Sequence, residues 1–252
     1  MDILSVVSRW IHIVAGILWI GLLYWFNWVN IPFAPTMDGE TRKKFAPEMY
    51  PRALYFFRWG AVWTWSLGLL LLLLVYYHGG LMFEEGVGSW GVPGYVMLAV
   101  VFLVYGLYDA LAKGPLGKDI RIFGAVGFVL IVGIVCAMIE WAGFSYRAYN
   151  IHTGTMFGTI MIANVWSRIW PGQKKILTSI KEGTPPDAAL VAMVGQRSRH
   201  NTYLSVPLIW TMITAHTVVP GANSWLWLPG MILVGWLVVS LVYAKSKKVK
   251  GF

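Results

Sequence analysis

Residues 120–143 read IRIFGAVGFVLIVGIVCAMIEWAG. Between Arg121 and Glu140 the run carries no charge, and as a helix rising about 1.5 Å per residue it is about 36 Å long. That is enough to cross the roughly 30 Å hydrocarbon layer of a bilayer. Cys136, the single cysteine, lies inside the run, so the chain offers no intrachain disulfide, no thiolate cluster and no C-x-x-C-H haem attachment.

Working outward, six further apolar stretches of similar length lie at about 5–29, 53–77, 94–112, 149–170, 201–219 and 224–244. The composition agrees. Of 252 residues, 58% are hydrophobic and 12% charged, against about 45–50% and 25% in soluble domains. The 27 Gly, 15 Trp, 12 Tyr and 12 Phe suit helices that pack in lipid and anchor at its interfaces. The first stretch is too long for a signal peptide and is followed by six more. The expected fold class is therefore all-α: a polytopic membrane helix bundle with seven transmembrane helices, forming a single domain over 1–252. Residues 171–200, opening on Pro171-Gly172 and containing Gly183-Thr184-Pro185-Pro186-Asp187, are expected to lie along the cytoplasmic surface, with a helical stretch ending near Gly195.

The 20 Lys and Arg set the direction. Seventeen fall in alternate connections and the tail: Arg42, Lys43, Lys44, Arg52; Lys113, Lys118, Arg121; Arg168, Lys174, Lys175, Lys181, Arg197, Arg199; Lys245, Lys247, Lys248, Lys250. By the positive-inside rule the N-terminus is outside and the C-terminus cytoplasmic. The net charge of +9 then reflects topology and contact with an anionic lipid membrane, with no nucleic acid as partner. Trp59, Trp166 and Trp170 near the inner boundary, and Trp90, Trp141, Trp225 and Trp227 near the outer one, read as aromatic belts.

With that direction His12, His152 and His216 fall near the outer side on three helices, and His200 on the inner side. His78, beside Gly79-Gly80, reads as a solvated loop residue. An imidazole in an apolar bundle is costly unless partnered, and marks a site by default. The outer three suit axial ligation of a b-type haem, whose iron takes neutral nitrogen donors from facing helices; packed, hydrogen-bonded histidines are the competing reading. Gly16 shares a helix face with His12, and Gly154 and Gly158 lie after His152, where each would admit a flat macrocycle or simply make a small-residue helix contact. Arg9, Glu140 and Arg147 flank the outer histidines as candidates for haem propionates or an anionic substrate. On the inner side Asp109 and Asn164 stand with His200 and Arg58. An Asp109–Arg58 ion pair is the plain structural expectation there, and a proton path or second cofactor the functional one. Met156 and Met161 read as packing. A retinal site is excluded, since residues 224–244 contain no lysine, and there is no G-x-S-x-G, H-E-x-x-H or Walker loop.

These residues resemble a known family. Arg9-Trp10-Ile11-His12-Ile13-Val14-Ala15-Gly16 with Trp19-Ile20-Gly21 is similar to the first helix of the membrane domain of cytochrome c-linked urate oxidase. The resemblance continues in Tyr105-Gly106-Leu107-Tyr108-Asp109 with Pro115-Leu116-Gly117, in His152-Thr153-Gly154 leading to Asn164-Val165, and from Gln196-Arg197-Ser198-Arg199-His200-Asn201 to His216. It implies an oxidoreductase of the bacterial inner membrane that passes electrons from urate to c-type haem, with functional status for His12, His152, His200, His216, Asp109 and Asn164. Two departures matter. The family's usual form carries a further helix and a C-terminal cytochrome c domain, so a c-type cytochrome or cytochrome-containing complex is expected here as a separate partner. Its first cytoplasmic connection is also longer and Gly-rich, whereas residues 30–52 contain only Gly39.

The leading expectation is a membrane electron-transfer subunit with haem b, one or two, ligated on the outer side by two of His12, His152 and His216. The second is an enzyme that oxidises urate, with Arg9 or Arg147 as its clamp. The third is a structural or assembly subunit of a respiratory or photosynthetic complex. Urate and a quinone are the small-molecule partners considered.

Overall fold

The computed structural model describes residues 3–83, 88–215 and 226–250, and its long elements are all helices. Helix α1 spans Ile3–Tyr24 and passes through a π-helical turn, Trp25–Asn30, into the short α2, Ile31–Phe33. Helix α3 spans Gly39–Leu71 with a π-helical turn at Leu72–His78, and α4 spans Val92–Lys113. The opening run forms α5, Ile120–Cys136, and the π-helical turn Ala137–Trp141. Helix α6 spans Tyr146–Asn164, followed by a π-helical turn at Val165–Ile169 and α7, Trp170–Glu182. Helices α8, Ala188–Thr214, and α9, Trp227–Ser246, complete the chain.

Five of these stretches are long and apolar enough to cross a membrane: Ile3–Thr36, Gly39–His78, Val92–Lys113, Ile120–Trp141 and Trp227–Ser246. Their outward faces are apolar, with Val92 and Leu103 each 74% exposed and Val129 69%. Water would penalise such a surface and lipid would not. Helices α6 and α8, expected as two further spans, are less apolar. Many of their polar residues are inside: Asn150, His152, Thr153, Asn164, Arg197, Asn201, Thr202 and Ser205 are all buried, while Arg147 and Arg199 are exposed. These two helices fall short of the other five in apolarity because they carry polar side chains that face protein.

Two boundaries differ from the sequence reading. Helix α3 begins at Gly39, about fourteen residues before the expected start, and runs through Pro47 and Pro51. Asp38 starts it: its Oδ1 accepts the Thr41 N–H at 2.9 Å and its Oδ2 the Thr41 hydroxyl at 2.6 Å, an N-cap that also holds this carboxyl below its ordinary pKa. The helical stretch expected to end near Gly195 within 171–200 continues beyond it. Residues 171–200 form α7, a turn, and the first turns of α8, which passes Gly195 without a break. Gly183 ends α7 with φ of +74°, a left-handed C-cap that favours glycine, and Asp187 caps α8 by accepting the Ala189 N–H at 2.8 Å.

The described residues divide into two compact units. One comprises Met1–Gly68, Met161–Ser205 and Trp236–Phe252, the other Leu69–Ile160 and Val206–Gly235. In the first, α1 and α3 approach closely at Gly60, where a Cβ would lie 3.4 Å from the Ala15 carbonyl oxygen. In the same unit Gly172 of α7 leaves room for Val194 of α8.

In the second unit a Cβ on Gly154 of α6 would collide with the Thr211 hydroxyl of α8. Gly154→Ala is accordingly expected to destabilise the protein by about 1–3 kcal/mol through overpacking, with Thr211→Ala restoring part of the loss. Thermal unfolding followed by circular dichroism of both single variants and the double variant checks this.

Candidate functional site

His12 lies in the third turn of α1, half-buried. Its Nδ1 is 2.7 Å from the Thr64 carbonyl oxygen of α3. A carbonyl oxygen can only accept, so Nδ1 carries the proton and Nε2 keeps the lone pair. The ring rests against Gly68, where a methyl would come within 2.9 Å of its Cε1. Thr64 is itself fixed by donating its hydroxyl to the Gly60 carbonyl at 2.7 Å. The opposite face of this contact is Gly16, whose missing Cβ would meet the Thr64 methyl at an ordinary 3.6 Å.

His152, in α6, is 0% exposed. Its Nδ1 donates to the Ala148 carbonyl of its own helix at 2.6 Å, which gives it the same tautomer as His12. Its Nε2 accepts the Tyr77 hydroxyl at 3.0 Å. Phe144 and Tyr76 flank the ring at centroid distances of 5.2 and 6.4 Å. Tyr77 belongs to the π-helical turn at Leu72–His78, and such a turn shifts the side-chain register that a regular helix would give. Trp90 meets Tyr77 edge-on at 5.8 Å and stacks on Tyr95 at 5.3 Å, so an aromatic file leads from the buried imidazole to the exposed Tyr95.

A third group of polar side chains fills the interior of the first unit. Asn27 is its hub. It donates to the Ser198 hydroxyl at 2.8 Å and to the Leu23 carbonyl at 2.9 Å, and accepts the Tyr243 hydroxyl at 2.8 Å. Helices α1, α8 and α9 are thereby tied at one amide. Nearby along α8, Asn201 accepts from Asn164 at 2.9 Å and donates to the Met161 carbonyl at 3.0 Å. Arg197 and His200, one turn apart, are 1% and 5% exposed. Ser205 donates to the Tyr24 hydroxyl at 3.1 Å.

The remaining candidates scatter. Asp109 is buried and its carboxylate holds Lys113 at 2.7 Å, while Arg58 lies over the Trp170 ring at 3.9 Å. Glu140 and Arg147 are exposed. Arg9, one turn from His12, makes no hydrogen bond or ion pair among the described residues. His78 is exposed at the end of its helical turn, and His216 lies outside the described residues. Gly158 faces Leu208, a Cβ there meeting its Cδ1 at 3.5 Å; together with Gly154 this favours the helix-contact reading of both glycines. Met156 and Met161 are buried packing residues. Among the described residues no cluster of three or more His, Cys, Asp or Glu could hold a metal ion by itself.

Sequence reasoning passed over Asn27, Thr64, Tyr77, Asn201 and Tyr243. Asn27 and Asn30 did carry a signal, being two amides three residues apart in an otherwise apolar run. Tyr77 carried none beyond its place beside His78.

A family model described as urate oxidase N-terminal matches residues 39–251. The matched span contains His152, His200, His216, Asp109 and Asn164, and begins after α1 with Arg9, His12 and Gly16. No curated protein and no solved structure matches the chain.

Proposed function

The chain belongs to the urate oxidase N-terminal family, and from that premise we propose that it is a membrane-embedded b-type haem electron-transfer subunit exchanging electrons with a c-type cytochrome. All seven long helices, α1, α3 to α6, α8 and α9, cross the bacterial inner membrane in this reading, with the N-terminus outside. The supporting observation is the state shared by His12 and His152. Each holds Nδ1–H on a backbone carbonyl, the outer bond that fixes tautomer and ring angle in iron-ligating histidines and leaves Nε2 as donor.

Haem, when bound, supplies a one-electron couple. His12 fits it directly, since its Nε2 has no partner among the described residues. At His152 the donor nitrogen is occupied by Tyr77, so ligation there requires the tyrosine hydroxyl to turn away. Each of His12, His152 and His216 is a candidate iron ligand in this reading, and Arg9, one turn from His12, a candidate partner for a propionate. The purified chain is tested by its visible spectrum on mixing with reduced c-type cytochrome. A Soret band present in the chain before mixing, which shifts towards its reduced form as the added cytochrome is oxidised, supports the proposal, and the lack of any Soret band in the chain before mixing overturns it.

Urate oxidation is the second reading, favoured by the family and by Arg9, a cation beside His12 without a hydrogen bond or ion pair among the described residues. Membranes holding the chain with its partners are expected to reduce cytochrome c on addition of urate. Arg9→Gln should raise the urate concentration needed by about tenfold or more, as the loss of a charge-assisted contact of about 1.5–3 kcal/mol implies. Unchanged reduction kinetics in the variant would remove Arg9 from the site.

A further inference from the structure

Arg58 stands within α3 among three aromatic side chains, the exposed Tyr55 and Trp166 and the half-buried Trp170. Its guanidinium carbon lies 3.9 Å from the Trp170 ring centre, 5.8 Å from Trp166 and 5.7 Å from Tyr55. Among the described residues it has no hydrogen bond and no ion pair, and its Nε is buried without a partner. Aromatic faces attract a cation, yet they satisfy none of the guanidinium's five N–H donors in the way an oxygen does. Lys174, exposed on α7, points its Nζ at the same Trp170 ring at 5.4 Å. Two cations thus share one indole, which is unfavourable until an anion joins them.

The neighbouring surface says what kind of anion. Phe56, Trp59 and Trp63 are 53%, 41% and 57% exposed and lie at i, i+3 and i+7, one face of α3. Trp59 meets Trp166 edge-on at 5.8 Å, so this apolar face runs directly into the aromatic cage around Arg58. A free phosphate would use the cations and gain nothing from the stripe. A phospholipid would use both.

We propose that Arg58, Lys174, Trp166 and Trp170 bind the phosphate headgroup of an acidic phospholipid, with Phe56, Trp59 and Trp63 lying along its acyl chain. The planar fork of the guanidinium suits bidentate contact with phosphate oxygens. Basic side chains at a membrane boundary are attracted to anionic lipid, and tryptophan is enriched there. The site involves no haem and stands or falls separately from the redox reading.

The test uses the purified full chain in detergent, with phosphatidylglycerol, phosphatidylcholine and inorganic phosphate added in separate arms. Native mass spectrometry and thermal unfolding are the readouts. The expected result is retention of phosphatidylglycerol with a raised unfolding midpoint, and little effect from the other two. Lys174→Gln should weaken retention by about fivefold, as for one basic residue near a charged surface, and Arg58→Gln by more than about tenfold, as for loss of a charge-assisted pair. Because Lys174 is exposed, its variant carries the test even if Arg58→Gln fails to fold. Equal retention of the two lipids, or unchanged phosphatidylglycerol binding in Lys174→Gln, overturns the proposal. Stabilisation by inorganic phosphate equal to that by phosphatidylglycerol would make this a free-anion site and overturn the lipid assignment.

Discussion

The His12→Ala protein is expected to keep its helical circular dichroism while its haem content falls to below about a tenth of the wild-type level, the scale on which lost ligand support weakens metal binding. The reason lies in how the ring is held. Its Nδ1 is committed to the Thr64 carbonyl and its Cε1 rests on Gly68, so Nε2 has a fixed direction, and alanine removes the donor outright. Gly68→Ala offers the sharper comparison, because it leaves His12 in the chain but puts a methyl 2.9 Å from Cε1. It should also lower haem content, and broaden or shift the haem spectrum, since the ring must swing off its carbonyl. Gly16→Ala adds a methyl on the other side of Thr64 at an ordinary 3.6 Å and should leave haem unchanged. A packed histidine without a ligand role predicts a different pattern: stability falls in the first two variants, and haem content, measured by extraction, stays level in all three.

Asn27→Ala should have the largest effect on stability, about 3 kcal/mol. It breaks three hydrogen bonds at once and leaves the half-buried Ser198 and Tyr243, on two other helices, to find new partners. Interhelical hydrogen bonds in membranes are each worth about 1–2 kcal/mol or less, so the figure depends on both cross-helix bonds being lost together. That dependence can be measured. A double-mutant cycle with Tyr243→Phe should show the two changes to be strongly non-additive, because either one removes the same α1–α9 bond. Strictly additive losses in chemical unfolding would mean that the amide does not couple these helices.

How far the fold was legible follows from which forces each residue reports. The run at 120–143 announces a helix of its own because length and apolarity suffice. The apolar run at 53–77 marks only the later part of α3, which begins at Gly39 and takes in Pro47 and Pro51. Each removes one backbone donor, but they are spaced four apart in a helix already capped by Asp38. The turn at Gly183 was legible from its own sequence, whereas the continuity of α8 past Gly195 was not, because one helical glycine costs only about 1 kcal/mol. At the candidate site the histidines could be named from the sequence as costly groups in an apolar setting. Their partners could not. Thr64 presents a backbone carbonyl, which every residue owns, and Tyr77 reaches His152 from a π-helical turn that ordinary helical periodicity does not describe.

Whether these imidazoles serve a haem is read from the pyridine haemochrome of the purified full chain. A b-type spectrum is expected, from haem that extracts without covalent attachment, since Cys136 alone cannot form the two-thioether linkage of a c-type centre. Wild-type protein that is folded, shows its full helical signal and yields no extractable haem would contradict the haem reading.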